Sequence, residues 1–184
     1  MNNKFFICLV FCSVLVINSC SKEAPASQQT QGSVQSGDEY AAIATEAGTA
    51  IKGNSTVADP NECDYVSQGA TYGLRLTGDL KGCIYTFITY SECINGLYYE
   101  EGKEHFVGTY KGEPGEFWTS YRALGKYEGC TDGTAYSGAE IMGFCQHPLV
   151  KGSGTGVFEG ATGQYFMIDN VKKGEFPYEG HIKF

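Results

Sequence analysis

The chain has 184 residues, 42% of them apolar and 14% aromatic, which favours one domain with enough apolar side chains for a core. Its net charge of −8, with no basic run, argues against nucleic acid or anionic lipid headgroups as partners. Thirteen Tyr, eleven Phe and 25 Gly against five Pro suit strands and turns over helices.

Residues 1–19 read as an export leader. Lys4 is the positive start, and Phe5 to Ile17 is an apolar run broken only by Ser13. That run is too short to span a bilayer and has the length of a signal-peptide core. It ends Ile17-Asn18-Ser19-Cys20, which resembles the bacterial lipobox. The alternative is an ordinary cleavage site beside a cysteine. The lipobox resemblance implies a thioether-linked diacylglycerol on Cys20, usually with a third acyl chain on its amine. Two chains hold a protein stably where one does not, so the membrane is a partner through this anchor. Ser21-Lys22-Glu23 follows, without the Asp after the cysteine that retains many lipoproteins at the inner membrane, and this favours the outer one.

Residues 20–62 read as the lipidated cysteine and a flexible tether. Positions 24–37 are Ala, Ser, Gln, Thr and Gly with almost no large apolar side chains, too little to offset chain entropy. Over 38–51 a short helix is expected, with Asp38 as cap and Tyr40, Ile43, Ala47 and Ile51 at helical spacing, weakened by Gly48. The span from Ser21 to Glu62 reaches about 35 Å root-mean-square as a flexible linker.

From residue 63 to 184 the pattern is β. Eight strands are expected, at 70–78, 83–94, 97–101, 103–111, 115–125, 135–146, 157–169 and 176–184. Asn95-Gly96 is a strong hairpin signal, Glu101-Gly102 suits a bulged hairpin, and Gly112-Glu113-Pro114-Gly115 is a Pro/Gly turn. Even spacing and short connections predict an all-β, eight-stranded antiparallel up-and-down barrel. Leu74 and Leu76 alternate with Arg75 and Thr77. Tyr178, Gly180, Ile182 and Phe184 alternate with Glu179, His181 and Lys183, so one face is apolar and the other wet. The stretch 83–90 is apolar on both faces and is expected to be covered outside as well. The final strand is expected to close the barrel by pairing.

The stretch Lys151 to Asp169 carries five glycines around Phe158 and then an apolar aromatic run, as a tight corner plugging one end of the barrel would. No Gly-Lys-Ser/Thr and no following helix accompany these glycines, so neither a phosphate loop nor a dinucleotide fingerprint is read there. The run Gly154 to Gly163, GTGVFEGATG, resembles the GTGxFxGAxG signature of the allene oxide cyclase and dirigent barrels and their bacterial relatives. The resemblance implies an eight-stranded antiparallel barrel. It covers about ten residues and places no catalytic residue.

Eight cysteines are present. Cys8 and Cys12 fall in the leader and Cys20 at the lipid site. Cys63, Cys83, Cys93, Cys130 and Cys145 remain, and in an exported chain they read as two disulfides and one spare. The pairing is left open. No CxxC and no paired His-Cys spacing occurs, so no metal and no cofactor is expected. Cys145-Gln146-His147 is the one Cys–His arrangement of note, and its two side chains are read as facing opposite sides of a strand. His105, His147 and His181 are scattered singly, with His181 on the wet face. Glu100, Glu101 and Glu104 are read as a solvated loop flanking a turn. Trp118 and Tyr110 read as core or rim. As polar groups facing the barrel mouth of an enzyme, the candidates are Arg75, Glu104, His105, Tyr121 and Arg122.

The leading expectation is a lipid-anchored barrel, more binder than enzyme, that takes a small apolar ligand or an envelope protein. An eight-stranded barrel is just wide enough to be filled by side chains or to hold one small ligand. The alternatives are an isomerase or cyclase acting on a hydrophobic substrate, as the family resemblance implies, and a purely structural envelope lipoprotein.

Overall fold

The computed structural model describes residues 48–184. The leader, Cys20 and most of the helix expected over 38–51 lie outside the described residues. Nine strands follow: β1 (Thr49–Val57), β2 (Tyr72–Gly78), β3 (Leu80–Ile94), β4 (Leu97–Tyr110), β5 (Glu113–Cys130), β6 (Tyr136–Pro148), β7 (Thr155–Gly156), β8 (Thr162–Ile168) and β9 (Phe176–Lys183). Every pairing between strands is antiparallel.

The sheet runs β4-β3-β2-β1-β9-β8-β6-β5, and β5 returns to β4, closing an eight-stranded up-and-down barrel. The two-residue β7 is an appendage on β5. The expected fold class holds, but the membership of the eight differs. Residues 49–57, assigned to the tether and partly to a helix, form β1. That strand joins β2 to β9 and closes the barrel. Residues 97–101 and 103–111, expected as two strands, form the single β4. Glu101-Gly102 is no turn. A Cβ on Gly102 would run into the Phe87 carbonyl and the Tyr121 ring, so the glycine serves close approach inside the barrel.

Alternation along each strand places the core. Leu74, Leu76, Ile84, Phe106, Phe117 and Ile182 are each at most 6% exposed and meet at the barrel centre. The end opposite the mouth is stopped by the glycine corner. Phe158 there is fully buried, with ring centroids 4.8 Å from Phe117 and 5.7 Å from Phe106. Gly156 in the corner has φ of 60°, and a Cβ there would meet the Pro114 carbonyl. Only glycine lets the corner lie this close to β5. The terminal Phe184 ring stacks on Tyr110 at 5.0 Å and remains half exposed.

The outer face of β3 is covered only in part, with Cys83 buried, Tyr85 and Phe87 half-buried and Tyr90 exposed. The connection 58–71 lies over it, pinned by the disulfide Cys63–Cys83, with Ala58 buried alongside. A second disulfide, Cys93–Cys130, ties the end of β3 to the end of β5 beside the mouth. Among the described residues Cys145 is the free thiol.

Candidate functional site

The mouth is asymmetric because the strands differ in length. β6 runs level with the end of β8 at Phe144↔Ile168, while residues 136–143 continue past it in register with β5. On the other side β2 begins opposite Thr86, and β3 and β4 continue beyond to the Asn95-Gly96 turn. These extensions form a wall on one side of the opening. Register shifts at Lys126, Tyr127 and Gly129 bend β5 there.

Below the wall lies a cavity of about 280 Å³. Apolar side chains supply much of its lining, among them Val57, Leu74, Leu124, Met167 and Phe176. Tyr98, Tyr127 and Tyr136 stand at its upper edge, and Glu140 and Asp169 flank Gly143. Its floor is Glu100 and Glu104, both on the inward face of β4.

Glu100 is 8% exposed and is held by three phenols. Tyr121 and Tyr98 each donate a hydroxyl to it at 2.7 Å, and Tyr72 donates at 3.3 Å. Burial, together with the nearby Glu100 carboxylate, pushes the Tyr121 and Tyr72 phenols well above their ordinary values and Tyr98 up to about 12. These tyrosines therefore stay protonated and act as donors. Glu104, 1% exposed, accepts from Thr86 at 3.3 Å, from Thr119 at 3.1 Å and from His147 Nδ1 at 2.6 Å. With Nδ1–H donating to the carboxylate, the imidazole is fixed in orientation. Its ring stacks on Tyr165 at 4.5 Å, and its Nε2 has no partner within the protein.

Of the five residues singled out from sequence, the barrel brings two into the site, Glu104 and Tyr121. The other three are on the outside. Arg75 is exposed on β2. Arg122 is exposed on β5 and pairs with Glu101 at 3.2 Å. His105 lies on the outer face, stacked on Trp118 at 4.5 Å and bonded to Glu116 at 3.0 Å. Odd and even positions of a strand face opposite ways, so Glu104 and His105 could never both have faced inward.

The same rule recovers what was missed. Tyr98, Glu100, Gly102, Glu104 and Phe106 share one face of β4, so Glu100 is an inward carboxylate rather than part of a solvated loop. Cys145 and His147, two apart on β6, face the same side, not opposite sides. The Cys145 thiol lines the cavity, but burial and the surrounding carboxylates push it far up, so it is not a ready nucleophile. Glu140, Asp169 and Tyr127 gave no sequence signal, because the bulges and strand lengths that gather them are set by pairing.

A second hollow, of about 490 Å³, lies on the outer face of β1, β9 and β8, where its polar side chains Lys52, Glu179 and His181 are exposed. It gathers no buried polar groups comparable with the mouth. Among the described residues no three His, Cys, Asp or Glu side chains converge as a metal site requires. Comparison of the chain with protein-family models, curated proteins and solved structures finds no match.

Proposed function

We propose that this protein is a lipid-anchored barrel that holds a small, largely apolar ligand in its open end. One observation carries the reading: a cavity of about 280 Å³ whose floor is a fully hydrogen-bonded carboxylate network rather than packed side chains. A purely structural barrel would have no need of such a floor, since buried carboxylates cost more than apolar packing of the same volume. The resemblance of Ile17-Asn18-Ser19-Cys20 to a lipobox supports export and attachment, and Ser21-Lys22-Glu23, without Asp after the cysteine, favours the outer membrane.

Native mass spectrometry of the purified protein tests the binding reading. A retained small molecule, lost on Ala123→Trp at the cavity wall, is the expected result. An empty spectrum, with no thermal shift from apolar probes, overturns it. For the anchor, Cys20→Ser is expected to abolish incorporation of labelled palmitate and release the protein from the membrane fraction.

An isomerase or cyclase is the second reading, favoured by the two carboxylates at the cavity floor. Against it, Glu100 and Glu104 each already accept from three donors, which leaves neither free to take a substrate proton without breaking the network.

A further inference from the structure

The geometry points to a cationic ligand: an organic ammonium, primary or quaternary, carried on a short apolar tail and seated in the mouth cavity. This rests on the reading of that cavity as the binding site and specifies what it selects.

The charged lining is of one sign. Glu100, Glu104, Glu140 and Asp169 face the cavity, and no Lys, Arg or His lines it. The two floor carboxylates are satisfied by hydroxyl and imidazole donors, whereas the upper pair meet each other rather than a hydroxyl or basic side chain. The Glu140 and Asp169 carboxyls converge over Gly143, where a Cβ would collide with both. Burial first, and then the hydrogen bond and charge of Glu140, hold the Asp169 carboxyl up to about 8. Two carboxyls brought together without a counter-ion share a proton, and a positive ligand group removes that need.

Three aromatic rings stand beside the pair. Tyr127 and Tyr136 stack at 3.9 Å, and Tyr98 meets Tyr136 edge-on at 4.7 Å and Tyr127 edge-on at 5.7 Å. Phenol faces next to carboxylates, in a partly enclosed space, form the environment that attracts an alkylammonium group through the ring quadrupole. The wall that carries these rings exists because β5 and β6 extend past β8, and β3 and β4 past β2. A bare metal ion does not fit, because the acids are not grouped as ligands. Leu74, Met167 and Phe176 leave an apolar side for the tail.

Titration calorimetry with hexyltrimethylammonium, hexylammonium, 1-hexanol and hexanoate tests this. The two cations are expected to bind at least about tenfold tighter than hexanol, with hexanoate weakest, consistent with the strength of a desolvated cation–π contact. Tyr136→Leu and the pair Glu140→Gln with Asp169→Asn are each expected to weaken the cations by about tenfold or more and leave hexanol unchanged. Equal binding of hexanol and the cations overturns the cation selectivity and leaves the cavity as a binding site. Cation binding untouched by these variants overturns the placement. No binding by any of the four, in protein whose melting is cooperative, overturns both readings.

Discussion

Glu104 on β4 and His147 on β6 meet across the barrel interior at 2.6 Å, each with its side chain 1% exposed. Glu104 also accepts from the hydroxyls of Thr86 and Thr119. Glu104→Leu leaves three buried donors unpaired and is expected to cost about 3 kcal/mol or more. Glu104→Gln keeps one acceptor oxygen and is expected to cost about 1–3 kcal/mol. Urea midpoints of the two variants check the ranking; an equal loss would show that charge, not hydrogen-bond capacity, is what the interior needs.

Phe158 stops the closed end, and its ring touches those of Phe106 and Phe117 and comes near Tyr110 and Phe184. Phe158→Ala opens a cavity that the surrounding β-barrel cannot collapse into, because the strands are fixed by pairing. A loss of about 3–5 kcal/mol is expected from denaturant unfolding. The mouth lies at the other end, so ligand binding by folded Phe158→Ala protein should persist.

Asp169 makes stability depend on pH in a direction opposite to most carboxylates. Its folded value is raised from 3.8 to about 8, by burial and then by Glu140, the carboxyl facing it from β6. The folded state therefore holds a proton that the unfolded state has released between those values. This contribution to stability is present below about pH 4 and is lost as pH rises through about 8. Asp169→Asn is expected to flatten that decline, with its largest gain over the parent at pH 9 and little at pH 4. Denaturant midpoints across the range check it; a parallel curve for the variant would sink the assignment.

The Cys93–Cys130 disulfide closes 37 residues of chain and braces the strand ends that wall the mouth. Replacing both cysteines by serine is expected to cost about 2–4 kcal/mol. Because the bond sits beside the cavity, ligand affinity should fall with it, whereas removal of Cys63–Cys83 on the outer face of β3 should lower stability and leave affinity unchanged. Calorimetry of the two double variants with hexylammonium separates these effects.

Arg122 and Glu101 pair on the outer surface with side-chain exposures of 77% and 50%. Arg122→Ala is expected to change stability by less than about 0.5 kcal/mol and to leave ligand binding alone. A loss of binding on this substitution would return Arg122 to the site.

Much of the architecture can be read from local pattern. The alternation of Leu74 and Leu76 and of Tyr178 and Ile182, and the turn at Asn95-Gly96, are short-range properties of the chain, and they yield strands, faces and hairpins directly. The glycines around Phe158 likewise announce a place where backbones crowd. The strand Thr49–Val57 was not legible, since TAIKGNSTV has little apolar alternation and becomes a strand by pairing on both edges with β2 and β9. Nor was β4 legible as one strand, because Gly102 signals a turn locally and a ring-packing position only when Tyr121 lies across it. The candidate site falls on the same divide. Inward carboxylates at Glu100 and Glu104 follow from parity along one strand, but their company does not. His147 and Glu140 on β6, Tyr72 on β2 and Asp169 after β8 come from three other places in the chain and meet only because the closed sheet fixes which residues stand opposite one another. Spacing along a strand is set by the residues themselves; proximity across a barrel is set by register and closure, and those belong to the whole fold.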